Sequence, residues 1–298
     1  MPVRPITIAV GGDSGSGKGT LCRGLAQIFG DERVATICLD DYRSLDRAQR
    51  TSVGLTALDP RAHNFAAMEE DLWAIREGRG IDKPVYDRTS GTFGAAEHVE
   101  PAEIVIVYGL FPLYTRALRS LFDVTVWLDP ESELKAAWKL KGDTQSRGYD
   151  EAAARARYIE PQSKYADLTV RFYRPADWDV HHDVAKLNGR IRKGGRLRPL
   201  DYAEFESAAT SIRFSQTAEG GYPETIIELD GHMEPPSAAA VEAKIWSHMA
   251  TSRERPERIG AFVAADGTPR IGHALALAQL LIARRVVLIE HDLLQMAP

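Results

Sequence analysis

Ile6-Thr7-Ile8-Ala9-Val10-Gly11-Gly12-Asp13-Ser14-Gly15-Ser16-Gly17-Lys18-Gly19-Thr20 is the stretch that decides the fold. An apolar β-type run, Ile6 to Val10, feeds a glycine-rich turn. Leu21, Leu25, Ile28 and Phe29 then fall on one face of a predicted helix that Gly30 stops. Glycines at 12, 15 and 17 let successive backbone N–H groups approach phosphate oxygens, and the start of the helix adds positive potential. Lys18 can reach the β- and γ-phosphates of a nucleoside triphosphate. Gly12, Asp13, Ser14, Gly15, Ser16, Gly17, Lys18, Gly19 and Thr20 are therefore the expected ATP-binding residues. The position after the lysine usually carries a Ser or Thr hydroxyl that helps hold Mg²⁺; here it is Gly19, and Thr20 follows.

Further β-type runs at Val34 to Leu39, Ile104 to Val107, Val124 to Leu128 and Leu168 to Phe172 alternate with helix-like stretches. That order predicts an α/β fold, a mostly parallel sheet flanked by helices. Phe65 to Glu77 sets Phe65, Met68, Leu72 and Ile75 on one side before Gly78, an amphipathic helix with its stop. Another helix is predicted after Asp129-Pro130, carrying Lys139, Asp143 and, if it continues, Arg147. Steps of four add only about 40° of rotation, so the three share a face, as a catalytic set or as an exposed ion-pair ladder.

Beyond residue 175 the pattern changes. Leu187 to Leu200 alternates apolar residues with arginine around Lys193-Gly194-Gly195, predicting a β-hairpin with Arg190, Arg192, Arg196 and Arg198 on one face in some combination. Such a face is either a solvated edge or an anion-effector site. Thr225 to Leu229 reads as a strand, and Ile271 to Ala283 as a helix with Leu275, Leu277, Ala278 and Leu281 available for burial. With no repeat or low-complexity linker, the chain is expected to be one kinase domain over 1–298, with a core at 1–175 and a hairpin and helix elaboration at 176–298.

Composition narrows the classes. At 298 residues, 44% of them hydrophobic, the chain can bury a large core, and a net charge of -5 argues against general nucleic-acid binding. No apolar run is long enough to span a membrane, and Met1-Pro2-Val3-Arg4 leads into a strand and not a secretory segment, so a cytoplasmic location is expected. Cys22 and Cys38 are too few for a disulfide framework or a four-cysteine zinc site.

Asp40 and Asp41 close the second predicted strand, at the sheet edge where ligands bind. Adjacent aspartates can cap a turn; they also suit phosphoryl transfer to an alcohol, which needs a group to orient the hydroxyl and accept its proton.

The chain resembles phosphoribulokinases of the uridine-kinase-like branch of P-loop kinases. The resemblance runs through Gly12-Asp13-Ser14-Gly15, Ile37-Cys38-Leu39-Asp40-Asp41-Tyr42, Leu45-Asp46-Arg47, Thr56-Ala57-Leu58-Asp59-Pro60-Arg61-Ala62, Lys83-Pro84-Val85-Tyr86, Gly109-Leu110-Phe111-Pro112-Leu113-Tyr114, Ala137-Trp138-Lys139 and Pro161-Gln162-Ser163-Lys164-Tyr165-Ala166-Asp167. It implies ATP- and Mg²⁺-dependent phosphorylation of the 1-hydroxyl of D-ribulose 5-phosphate, a small-molecule sugar phosphate, in carbon fixation, by a homo-oligomer. On this resemblance Asp40 is the base, Lys139 and Asp143 are catalytic, and Arg47, Tyr86 and Arg147 meet the acceptor or phosphate. Thr20, Asp40 and Asp143 are its candidate metal ligands.

The departures from that family are as informative. Arg43 and Arg88 stand where histidines are expected to contact the sugar, and both are assigned to the acceptor; permanent planar cations there favour a more negative acceptor. Tyr108 replaces an acidic residue, Phe111 a histidine and Gly142 an arginine. The stretch between Gly148 and Tyr158 is shorter than in relatives, leaving Arg155 and Arg157 as the nearest lid arginines. Cys38 matches one cysteine of the light-regulated pair, but Ser16 occupies the other position, so that bridge cannot form. A related kinase with a different anionic acceptor, a uridine-kinase-like enzyme and a nucleotide-binding chain with little catalysis remain the alternatives.

Overall fold

The computed structural model describes residues 4–139, 149–178, 184–193, 212–217, 224–249, 253–264 and 266–296. The chain divides into two compact units, one of residues 1–14, 31–126 and 144–166, the other of residues 15–30, 127–143 and 167–298.

The first unit holds β1 (Ile6–Gly12), β2 (Val34–Cys38) and β7 (Ile104–Gly109), with β7 parallel to both others. In sheet order the strands run β2, β7, β1 and then β8 (Val124–Leu128), which crosses the division between the units. β1 is buried throughout and β7 nearly so, as expected of parallel strands covered on both faces, where each enclosed Ile or Val contributes about 1.5–3 kcal/mol. Short antiparallel pairs join β3 (Ile81–Lys83) to β6 (Glu97–Val99) and β4 (Tyr86–Asp87) to β5 (Thr92–Phe93).

Helix α2 (Arg47–Ser52) starts from an Asp46–Gln49 capping box. Helix α3 (Phe65–Arg76) matches its predicted span to within a residue; Asn64 caps it, and Met68, Leu72 and Ile75 are buried. Helices α4 (Arg116–Ser120) and α6 (Tyr149–Ala154) complete the unit. One polar anchor ties its base. Asp123 accepts from Arg4 at 2.7 Å and from the Thr7 N–H at 2.9 Å, and Arg76 lies 3.3 Å away. Burial opposes ionisation of Asp123, but the bonds from Arg4 and the Thr7 N–H together with the Arg76 and Arg4 charges outweigh it and hold its carboxyl below the usual range.

The second unit contains α1 (Lys18–Phe29), whose Leu21, Leu25, Ile28 and Phe29 are buried as the periodicity predicts, and α5 (Ser132–Lys139). Its strands follow the order β8, β9 (Leu168–Tyr173), β10 (Asn188–Lys193), β12 (Glu224–Leu229) and β11 (Ile212–Thr217). Each pairing from β9 to β11 is antiparallel.

Of the expected hairpin at Leu187 to Leu200, the first arm is β10, which pairs with β9 on one edge and β12 on the other; residues 194–200, its turn and second arm, lie outside the described residues. Arg196 and Arg198 lie outside the described residues. Arg190 and Arg192 do point outward, where Glu228 at 2.5 Å and Glu224 at 3.8 Å meet them. Helix α7 (Pro235–Ser247) and the pair β13 (Ala261–Val263) and β14 (Pro269–Ile271) precede α8 (His273–Met296). The last helix is longer than the predicted Ile271 to Ala283: Ile271 ends β14, and no glycine or proline interrupts the sequence from His273 to Met296. Among the described residues no helix is long and apolar enough to cross a membrane.

Candidate active site

The phosphate loop takes the conformation its glycines allow. Gly15 and Gly17 have φ of 76° and 88°, left-handed values that a side chain would strain, and Gly17 leads directly into α1. The start of α1 has no side-chain cap and no acidic residue in its first turn. Ser16 Oγ is buried without a hydrogen-bond partner, and Lys18 is buried at 9% exposure. A buried hydroxyl with no partner calls for a polar ligand atom, and a phosphate oxygen supplies one. Asp13 Oδ1 accepts from the Ser14 N–H at 2.7 Å, and Asp13 Oδ2 lies 2.6 Å from Arg155 Nε. Of the two expected lid arginines, then, Arg155 is tied to the loop's own aspartate, while Arg157 lies over Tyr158.

Asp40 and Asp41 occupy a 3₁₀ turn, Leu39–Asp41, at the C-terminal end of β2, and their environments differ. Asp40 Oδ1 accepts from the buried Leu110 N–H at 2.9 Å, and Oδ2 lies 3.3 Å from Arg88 Nη2. Gly109 permits this approach, because a Cβ there would lie 3.1 Å from Asp40 Oδ1 and 3.0 Å from Leu39 Cβ. Asp41 is instead locked to buried Lys83 at 2.9 Å, and Lys83 also holds Glu97 at 3.0 Å. Burial works against the charge on Lys83, but the two carboxylates outweigh it and hold its pKa above the usual value. Burial, then Asp40 and Asp41, push the Cys38 thiol up to about 11, which leaves it a poor nucleophile.

The arginines assigned to the acceptor are placed in three ways. Arg43 donates to the Asp40 carbonyl at 3.1 Å and the Ala57 carbonyl at 2.8 Å, and touches His63 Nε2 at 2.5 Å. Arg47 donates to the carbonyls of Arg88 and Thr89. Arg88 is the more exposed, reaching Asp40 and Cys38. Tyr86 is buried, accepts from Arg50 Nη2 at 3.0 Å and packs edge-on to Phe93. A cavity of about 440 Å³ adjoins this cluster, lined by Tyr42, Arg43, Asn64, Asp71, Val85 and Phe93 among others. Phe111 is fully buried and meets His63 edge-on at 4.6 Å.

Three buried polar residues here escape sequence reasoning: Arg50, His63 and Gln162. Burial, and next the Arg43 charge, push His63 well below its usual range, so it is a neutral imidazole. Gln162 accepts from the Leu113 N–H at 3.1 Å and donates to the Leu110 carbonyl at 2.9 Å, bracing the segment that also supplies the Asp40 partner. Its place in the Pro161-Gln162-Ser163-Lys164 block was the available signal. Lys139 ends α5, next to Trp138, whose ring would lie 3.6 Å from a Cβ on Gly17. Asp143 and Arg147 lie outside the described residues, as does Gly142.

Residues 7–178 match the model of the Phosphoribulokinase / Uridine kinase family. The chain is 44% identical over 178 residues to a Synechocystis sp. phosphoribulokinase, an alignment covering 56% of this chain and 54% of the relative. With a chloroplastic phosphoribulokinase of Triticum aestivum it shares 38% identity over 194 residues, covering 56% and 48%. A uridine kinase of Streptococcus thermophilus is 30% identical over 185 residues, 57% of this chain and 87% of that protein. The chain thus spans about half the length of the phosphoribulokinases it matches. Among solved structures, a phosphoribulokinase from Rhodobacter spheroides superposes with a TM-score of 0.60 at 18% identity, covering 82% of this chain and 96% of that one, a likeness of fold. With more than half of its residues in the family match, the chain belongs to the phosphoribulokinase/uridine kinase family.

Proposed function

We propose that the chain is an ATP-dependent kinase that phosphorylates the 1-hydroxyl of D-ribulose 5-phosphate. The observation that carries this reading is the asymmetry of the aspartate pair: Asp41 is consumed by Lys83, whereas Asp40 turns one oxygen to a backbone N–H and the other toward Arg88. In this reading the loop Gly12 to Thr20 holds the triphosphate through backbone N–H groups and Lys18. Asp40 orients the acceptor hydroxyl and takes its proton. Arg47 and Tyr86 enter as acceptor residues on the family resemblance, and the 440 Å³ cavity lined by Arg43 is large enough for a pentose phosphate. Lys139, Asp143 and Arg147 enter as catalytic and phosphate-binding residues on the family resemblance.

The hydroxyl of Thr20 and the carboxylates of Asp40 and Asp143 are hard oxygen donors that suit Mg²⁺, with nucleotide phosphates and water completing its shell. The ion would neutralise charge on the transferring phosphate. A cytoplasmic homo-oligomer feeding carbon fixation is part of the same proposal.

A second reading, a kinase for a doubly anionic sugar, is favoured by Arg88 beside Asp40, since a guanidinium can pair bidentately with an added carboxylate or phosphate. The test is turnover with ATP across ribulose 5-phosphate, sugar bisphosphates, sugar-acid phosphates and uridine, in wild type and Arg88→His. Preference for ribulose 5-phosphate in both supports the first reading. A wild-type preference for a doubly anionic sugar that Arg88→His reverses supports the second, and turnover of none overturns both.

A further inference from the structure

In helix α8 Ala276, Leu277, Ala278 and Leu280 are fully enclosed, yet Gln279 stands among them at 0% exposure. A buried amide costs stability unless its groups are bonded, so its partners identify what it does. Gln279 Oε1 accepts from the buried Gly260 N–H at 2.9 Å. Its Nε2 lies 3.4 Å from the carbonyl of Thr20, in the first turn of α1, and donates to it. One turn along α1, Gly24 leaves room for the amide: a Cβ there would lie 2.0 Å from Gln279 Nε2. The far end of α1 is held as well, since Arg253 Nη1 donates to the Phe29 carbonyl at 2.6 Å. Gln279, Gly260 and Arg253 all lie beyond residue 178, where the family match ends.

The first turn of α1 is also the last part of the phosphate loop, so the axial position of this helix decides where Lys18 and its neighbouring N–H groups point. A slip or roll of α1 would break the Thr20 contact and drive Gly24 against the amide. We infer that Gln279 is a positioning residue for nucleotide binding: by bridging Gly260 to Thr20 across Gly24, it sets the register of α1 and thereby the phosphate loop. The inference rests on the nucleotide-binding reading of that loop. A purely space-filling role would be met by a residue of the same size without an amide.

The experiment is calorimetric titration of the full chain with ATP, with acceptor KM measured in parallel, for wild type, Gln279→Met, Gln279→Ala, Gly24→Ala and the double variant Gln279→Ala with Gly24→Ala. Each single variant is expected to bind ATP about tenfold more weakly, the scale of losing a buried hydrogen bond, with the acceptor KM unchanged. The double variant should bind ATP better than the product of the single losses, because the added methyl fills space the amide vacated. Wild-type ATP affinity in Gln279→Met, or strict additivity in the double variant, overturns the inference. Should Gln279→Met fail to fold, Gly24→Ala beside its double variant decides it alone. A wild-type chain that binds no ATP overturns the reading of the loop and this inference with it.

Discussion

Strands β7 and β10 each have six residues and could hardly differ more. β7 buries Ile104, Val105, Ile106 and Val107 in succession, while β10 alternates, with Gly189, Ile191 and Lys193 inside and Arg190 and Arg192 outside. Where a parallel strand is covered on both faces, ionisable groups are excluded from its length and gather past its C-terminal end. The Asp40–Leu110 contact lies there. Along β10 the charges are spread over an outer face and neutralise glutamates on β12. Charge at the end of a strand is available for chemistry; charge along a face is spent on pairing.

The contrast is sharpest at Asp40. Asp40→Asn should lower kcat by about 10²- to 10⁴-fold with ATP affinity preserved, whereas Asp41→Asn should chiefly destabilise the fold by leaving buried Lys83 with one carboxylate, Glu97, in place of two. If steady-state kinetics show the larger kcat loss for Asp41→Asn, the assignment of roles along this turn is wrong. Next in size is Gln162→Leu. It strands the Leu113 N–H and Leu110 carbonyl, so chemical denaturation should report a loss of about 1–3 kcal/mol, with kcat falling as the Asp40 partner shifts.

A smaller effect concerns pH. His63 binds its proton less readily folded than unfolded, so between its folded value and the ordinary 6.5 the unfolded chain holds more protons. The stability it contributes is full above pH 6.5 and declines as pH falls below that, and His63→Asn should flatten this part of a stability-against-pH curve. An unchanged slope would mean that His63 is not a buried neutral group. The smallest effect is expected on β10: Arg190→Ala should cost at most about 1 kcal/mol and leave turnover untouched. A large kinetic effect there would break the comparison and return an anion site to this face.

The N-terminal core was legible because its signals are local. Val124 to Leu128 is one buried run, and the phosphate loop is written in nine consecutive residues from Gly12 to Thr20. What was missed depends on partners distant in sequence. The alternation of arginine in β10 is a correct strand signal, but nothing near it states that β9 and β12 take both edges, the latter through Glu228, 38 residues beyond Arg190. Arg50 looks like an ordinary surface arginine on a short helix, and only the folded chain sets it against Tyr86. Gln279 sits in a helix that reads as plain core, and its meaning depends on Gly24 and Gly260. Tyr86 and Arg88 were visible as candidates, but that Arg47 would be held by the carbonyls of the following turn was not.

The bond from the Leu110 N–H to Asp40 Oδ1 also restricts rotation of the carboxylate. An aspartate on a free surface presents two equivalent oxygens and turns between them, so a hydroxyl meeting it must first select one. Here the main chain just past the end of β7 makes the two oxygens unequal before any acceptor arrives. The entropy of choosing is removed in folding, and on the proposed reading Oδ2, the oxygen that faces Arg88 and is not held by the Leu110 N–H, is the one that takes the proton.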